Sequence, residues 1–131
     1  MIKQSTLKIH NCDTLFRGLP NLIGVYSIIS PSGEAAIIDT GPPTAYDQLK
    51  AKLFSIGITP ENLTTVIITH LHIIHSAGSS LFSQDFPNAK FFIHPRSIPH
   101  LVDPSILLHQ TSQFHSFNFG PDIQNKVTSI D

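Results

Sequence analysis

The pattern of apolar positions in the first forty residues predicts β-strands, by alternation at the start and by nearly continuous apolar runs after residue 22. Leu7 and Ile9 alternate with polar neighbours, which predicts a half-buried edge strand. Residues 11–21, which contain Gly18 and Pro20, predict a loop. Two nearly continuous apolar runs, residues 23–30 and 34–39, flank a Pro-Ser-Gly turn and predict a hairpin. Because the runs are nearly continuous, we expect these strands to be buried on both faces.

The period changes to that of an α-helix over residues 45–56. Apolar residues recur there every three or four positions, as in a helix with one buried face, and Thr44 is the predicted N-cap. A β-branched run at residues 66–69 then predicts a buried strand. Strand, helix and strand in this order predict a βαβ unit with parallel strands, and therefore an α/β domain with a mixed sheet.

The rest of the chain predicts shorter elements and no second domain. These are a helix over residues 76–82, a strand over residues 90–94, and helical segments after Pro95 and Pro104. Residues 109–131 are weakly patterned and are expected to form a tail. The length of 131 residues fits a single domain, residues 1–131, with one core.

Three histidines, His70, His72 and His75, directly follow the strand predicted over residues 66–69. Polar residues at the carboxyl ends of buried strands lie where α/β sheets build their sites. An extended His-x-His pair points two imidazoles to one side, and a bend after His72 would bring His75 to the same place. Neutral imidazole binds zinc, copper, nickel and iron. The sequence therefore predicts a metal site, and the alternative is a set of histidines with structural hydrogen bonds.

Two further polar residues end predicted strands. Asp39 closes the return strand of the hairpin, where its carboxylate would accept backbone N–H groups or orient a histidine ligand. The alternative for Asp39 is a turn residue before Gly41. His94 ends the strand over residues 90–94 near the same edge of the sheet. We expect a structural, hydrogen-bonded role for it, and the alternative is that it approaches the site.

The histidine segment resembles the metallo-β-lactamase superfamily, whose signature is His-x-His-x-Asp-His after a strand that ends in Thr. Thr69 and the three histidines match this signature, and Ile74 stands where the family has Asp. The run Ala-Ile-Ile-Asp-Thr-Gly at residues 36–41 resembles the family's strand that ends in an Asp-Thr-Gly turn. By this resemblance His70 and His72 would bind one metal ion and His75 a second, with Asp39 beneath them.

The resemblance covers about residues 22–108 and only the first half of the family's fold. It implies half of an αββα sandwich, with a mixed sheet that has helices on one face and an uncovered opposite face. Exposed apolar surface of that size normally marks an interface. We therefore expect a second copy of the chain, as a homodimer, or a missing second half to cover the sheet.

The resemblance also implies a zinc-dependent hydrolase that acts on a small-molecule ester, thioester, amide or phosphoester. The site would hold one or two zinc ions, or none in this chain, because Ile74 cannot ligate a metal. Two alternatives stay open. The chain is a catalytically inactive remnant that binds a metal or a partner, or it is a small α/β interaction module with incidental histidines.

The composition of the chain limits the classes of binding partner and the cellular compartment that we expect. The formal net charge is −1, only 13% of residues are charged and no basic cluster occurs, which argues against nucleic acid and against a membrane surface. Cys12 is the only cysteine, so an intrachain disulfide is impossible. The amino-terminal residues lack the apolar stretch of a secretory signal. We expect a cytoplasmic protein.

Overall fold

The fold is organised around a six-stranded mixed sheet. The computed structural model describes residues 6–103, 105 and 127–129. In spatial order, which is also chain order, the strands are β1 (Lys8–Asp13), β2 (Gly24–Ile29), β3 (Ala35–Ile38), β4 (Leu63–Ile67), β5 (Lys90–Ile93) and β6 (Val127–Ser129). Neighbours are antiparallel from β1 to β3 and parallel from β3 to β6. The α/β class and the mixed sheet predicted from the sequence are confirmed.

In the part of the chain that the structure describes, four short helices with complete bounds connect or follow the strands. They are α1 (Tyr46–Ser55), α2 (Ile73–Ser76), α3 (Ser79–Asp85) and α4 (Ile98–Val102). Helix α1 joins the parallel strands β3 and β4, so the predicted βαβ unit is present. The predicted N-cap of α1 is wrong, because a 3-10 turn at Pro43–Ala45 precedes the helix and Ala45 takes the cap position. None of the helices in the described part of the chain is long and apolar enough to span a membrane.

One face of the sheet carries the core. Val25, Ile37, Val66 and Phe91 lie on this face of four adjacent strands, and each is fully buried. The helices and the C-cap of α3 contribute buried side chains to the same cluster, among them Leu49, Leu53, Phe82, Phe86 and Leu101. The predicted arrangement of helices on one face of the sheet is therefore confirmed.

The opposite face is mainly apolar and only partly covered. Its apolar side chains come from alternate positions of β1 to β5: Ile9, Tyr26, Ile28, Ala36, Ile38, Ile67 and Phe92. The polar residues Asn11, Asp13, Thr65 and Lys90 lie on the same side. Ile9 is 63% and Tyr26 52% exposed, whereas the other apolar residues of this face are half-buried. We call the seven apolar residues the open face. The uncovered sheet face expected for half of a sandwich is thus present.

Two strands differ from the prediction. Strand β1 continues to Asp13, into the predicted loop, because Cys12 pairs with Val25 and is fully buried. Strand β6 pairs with β5 inside the region expected to be a weakly patterned tail. The helical segment predicted after Pro104 lies outside the described residues except for Ser105, whose N–H donates to the Asp103 carboxylate at 3.1 Å.

Candidate metal centre

The backbone after β4 brings the three histidines to one point. The chain leaves the sheet through Ile68, whose N–H donates to the Phe92 carbonyl of the neighbouring strand at 2.9 Å. It remains extended at His72 (φ −60°, ψ 129°) and then turns at once into α2. The His72 carbonyl accepts hydrogen bonds from the N–H groups of His75 (2.8 Å) and Ser76 (3.0 Å). This sharp bend folds His75 back toward the preceding His-x-His pair.

The three imidazole rings converge beyond the carboxyl end of β4. Ring centroids are 4.6 Å apart for His70 and His75, 5.8 Å for His72 and His75, and 6.0 Å for His70 and His72. One nitrogen of each ring lies within 4.8 Å of the corresponding nitrogens of the other two. His70 and His72 are exposed and His75 is half-buried, so small molecules have access to the cluster. We call these three residues the histidine cluster.

The Asp39 carboxylate lies near the histidine cluster and makes its hydrogen bonds to Thr69. The Thr69 N–H donates to Oδ1 at 2.8 Å, and the Thr69 hydroxyl lies 2.9 Å from Oδ1 and 2.8 Å from Oδ2. The backbone of Asp39 is left-handed (φ 65°), a conformation that Asp and Asn adopt more readily than most residues. The turn between β3 and α1 therefore holds a carboxylate against the end of β4.

The same carboxylate approaches His75. His75 Nδ1 lies 3.5 Å from Asp39 Oδ2, which is an electrostatic contact but too long for a well-formed hydrogen bond. The Nδ1 atom is buried and has no hydrogen-bond partner among the described residues. A small rotation of the His75 ring would bring Nδ1 within hydrogen-bond distance of the Asp39 carboxylate. The Nε2 atom would then be directed away from that carboxylate. Buried polar atoms without partners are rare and often mark sites that act on a ligand.

The turn that follows Asp39 is bound to the helix that carries His75. The N–H groups of Thr40 and Gly41 donate to the His75 carbonyl at 2.8 and 3.2 Å, and the Gly78 N–H donates to the Gly41 carbonyl at 2.9 Å. A Cβ atom at Gly78 would lie 2.8 Å from the Thr40 carbonyl oxygen, so only glycine fits there. These contacts set the position of His75 relative to Asp39.

The donor set fits a late first-row metal such as zinc. Three imidazoles around tetrahedral zinc, with Zn–N distances of about 2.0–2.1 Å, would have nitrogens about 3.3 Å apart. The observed upper limit of 4.8 Å requires each ring to move inward by about 1 Å, a shift within reach of side-chain rotation for the exposed His70 and His72 and the half-buried His75. Three protein ligands also leave a fourth position open, as in hydrolytic zinc sites.

Other predicted candidates lie apart from the cluster. Among the described residues the metal-binding geometry is found for His70, His72 and His75 and not for His94. His94 is exposed, and its Nδ1 accepts the Arg96 N–H at 3.2 Å, so it caps the 3-10 turn after β5. Ile74 is half-buried in α2 and brings no ligand atom. The sequence reasoning gave Thr69 no role; a hydroxyl next to the first histidine was the available signal.

Comparison with known protein families agrees with this geometry. The family profile described as the metallo-beta-lactamase superfamily matches residues 19–112, more than two thirds of the chain. The chain belongs to the metallo-beta-lactamase superfamily. The matched range contains the histidine cluster, Asp39 and the strands β2 to β5 that carry them.

Solved structures share the fold of this superfamily member at low sequence identity. FEZ-1 metallo-beta-lactamase from Legionella gormanii matches with a TM-score of 0.70 and 18% identity, over 92% of this chain and 43% of that one. MEM-A1, a subclass B3 metallo-beta-lactamase from a soil metagenome library, matches with a TM-score of 0.69 and 16% identity, over 94% and 43%. BJP-1, a subclass B3 enzyme of Bradyrhizobium japonicum, matches with a TM-score of 0.61 and 21% identity, over 75% and 34%.

The matched region covers only part of each of these structures. The chain spans less than half the length of the three structures that it resembles. A comparison with curated proteins found no match. The likeness therefore establishes the fold of the matched half, which agrees with the half-sandwich expected from the sequence.

Proposed function

We propose that this domain binds one zinc ion through His70, His72 and His75 and acts as a hydrolase of small-molecule esters, thioesters, amides or phosphoesters. The convergence of the three rings, with one nitrogen of each within 4.8 Å of the others, is the observation that carries the proposal. Superfamily membership supports the choice of zinc and of hydrolysis. When bound, zinc acts as a Lewis acid that activates water and polarises the bond to be cleaved.

The residues of the chain hold and orient the ligands in this proposal. His70 and His72 present their rings from extended backbone, and α2 presents His75 from the opposite side of the bend. Asp39 contacts His75 Nδ1, so that the Nε2 atom of this ring is the free ligand atom. Because His70 and His72 are exposed, the substrate reaches the metal ion from their side of the cluster.

Metal analysis followed by a hydrolysis assay tests the proposal. Purified protein should contain about one zinc per chain, and activated ester substrates should be cleaved in a chelator-sensitive manner. His72→Ala should lower both zinc content and turnover, whereas His94→Ala, an exposed histidine outside the cluster, should change neither. Wild-type protein that stays metal-free and inert after incubation with zinc would refute the proposal.

A second candidate is a domain of the same descent that binds metal without hydrolysis. Ile74 supports it, because the signature carboxylate that would bind a second ion or handle a proton is absent at this position. Ile74→Asp separates the two candidates. Hydrolysis by the wild type favours the first, whereas an inert wild type with no gain in turnover from Ile74→Asp favours the second.

We also propose that a second copy of the chain covers the open face. Five strands about 4.8 Å apart and about 17 Å long give roughly 400 Å² of projected area per copy. Side-chain relief increases the accessible area, so two copies approach the roughly 1,200 Å² of a specific interface. Two charged residues lie on the same side of the sheet, Asp13 at the end of β1 and Lys90 at the start of β5, and they border the apolar positions. The exposed Tyr26 is two residues from Ile28 on the same strand face, and Ile28 lines a hollow together with Glu34, Ala36 and Thr65. A two-fold axis would let Tyr26 of each copy enter the hollow of the other.

Sedimentation measurements test the second copy. Wild-type protein should be dimeric at concentrations of tens of micromolar, and Tyr26→Lys should be monomeric. Leu19→Lys is the matched control, since Leu19 is 55% exposed but lies outside the sheet. A monomeric wild type, or a dimer that Tyr26→Lys leaves intact, would refute this interface.

A further inference from the structure

The Thr69 hydroxyl lies between the Asp39 carboxylate and the His70 ring. Its oxygen is 2.9 and 2.8 Å from the two carboxylate oxygens and 2.8 Å from His70 Nδ1. All three distances are those of hydrogen bonds. The hydroxyl has a single proton, so it donates in one direction and must accept in the other.

The Asp39 carboxylate determines the direction in which the Thr69 hydroxyl donates its hydrogen bond. A carboxylate only accepts hydrogen bonds, and it is a stronger acceptor than a neutral ring nitrogen. The Thr69 proton therefore points to Asp39, and a lone pair of the hydroxyl oxygen faces His70 Nδ1. That lone pair is satisfied only if Nδ1 carries a proton. The neutral His70 ring then has its free lone pair on Nε2.

We propose that Thr69 is a positioning residue that holds His70 in the Nδ1–H tautomer and so presents Nε2 to the metal ion. The ligand part of this inference rests on the proposed zinc site, whereas the tautomer is a property of the metal-free chain. Asp39 contacts Nδ1 of His75 directly and Nδ1 of His70 through Thr69. One carboxylate thus orients two of the three rings.

Backbone hydrogen bonds fix Asp39 and Thr69 relative to each other, so this pair can impose the Nδ1–H tautomer on His70. The Asp39 N–H donates to the Ile67 carbonyl at 2.7 Å, and the Thr69 N–H donates to Asp39 Oδ1 at 2.8 Å. Asp39 directly follows β3, and Thr69 lies two residues after the end of the neighbouring parallel strand β4. In water the neutral imidazole of histidine favours the Nε2–H tautomer. Loss of the hydroxyl should therefore reverse the tautomer of His70.

Nitrogen NMR of the ring and zinc affinity together test the inference. Ring ¹⁵N shifts in metal-free protein, at alkaline pH where the imidazole is neutral, identify the tautomer. The wild type should show Nδ1–H at His70, and Thr69→Val should shift the ring toward Nε2–H and weaken zinc binding about 10- to 100-fold. Thr69→Ser keeps the hydroxyl and should restore the wild-type tautomer and affinity. Thr69 is exposed, so the domain should fold with either side chain.

Each result of the NMR and zinc-affinity measurements either supports or overturns the role inferred for Thr69. An Nε2–H tautomer at His70 in the wild type would overturn it, and so would a Thr69→Val variant with unchanged tautomer and affinity. If wild type and Thr69→Ser show Nδ1–H, Thr69→Val shows Nε2–H and none of them binds zinc, the positioning role of Thr69 stands and the proposed function fails. The tautomer readout thus separates the two failures.

Discussion

Gly78→Ala should disturb the histidine cluster from outside it. The new Cβ would lie 2.8 Å from the Thr40 carbonyl oxygen and 3.0 Å from that of Gly41, and both are backbone atoms that cannot rotate away. Overpacking of this kind costs about 1–3 kcal/mol. Gly78 has a helical backbone (φ −72°), so alanine recovers about 0.4–1 kcal/mol through the unfolded chain. We expect a net loss of about 1–2 kcal/mol.

The displacement should also weaken metal binding. Because Thr40 and Gly41 donate to the His75 carbonyl, pushing this turn away moves His75 relative to Asp39, and we expect at least about a tenfold loss in zinc affinity. Urea unfolding of metal-free protein measures the stability, and chelator competition measures the affinity. Gly33→Ala is the control: its Cβ has open space, but its φ of 93° costs about 1–2 kcal/mol.

The two variants should therefore lose similar stability, and only Gly78→Ala should lose zinc affinity. A Gly78→Ala protein as stable as the wild type would refute the steric reasoning. Equal effects of both variants on zinc affinity would show that the loss reflects general destabilisation and not the position of His75.

Three further changes test other parts of the structure. The Lys50 ammonium and the Tyr46 hydroxyl hold the pKa of the Asp85 carboxyl below its usual range, so the stability it contributes is present above about pH 4 and is lost as pH falls toward the lowered pKa. Asp85→Asn should cost about 0.5–1 kcal/mol at neutral pH and flatten this decline, which urea unfolding across pH will measure. Asp39→Asn keeps a residue that tolerates the left-handed backbone but removes the charge, so calorimetry should show zinc affinity about 10- to 100-fold lower, and an unchanged affinity would contradict its orienting role. Ile74→Asp should raise the zinc content measured by elemental analysis, and a content equal to that of the wild type would show that the carboxylate position is out of reach of the metal.

The sequence predicted the parts of the fold that have strong local patterns. The apolar runs of β2, β3 and β4 and the helical period of α1 are such patterns, and all four elements are present. Strand β6 was missed because three residues are too few for a period, and its order comes from pairing with β5. The continuation of β1 to Asp13 depends on the contact between Cys12 and Val25, which no local pattern reveals.

The candidate site also has parts that local sequence patterns predict and parts that depend on long-range contacts. Residue type and spacing were enough to select His70, His72 and His75, because the bend at α2 is short and local. The role inferred for Thr69 could not be predicted, since it depends on Asp39, thirty positions earlier, being placed beneath it by the parallel pairing of β3 and β4. The hydrogen-bond direction that follows is a property of the three-dimensional network alone.

Titration of metal-free protein with zinc, followed by the ring resonances of the histidine cluster, tests the central claim most directly. We predict that His70, His72 and His75 respond together and that their changes are complete at one equivalent of zinc per chain. A response of His70 and His72 without His75, or no response of any ring at one equivalent, would contradict a single ion held by all three.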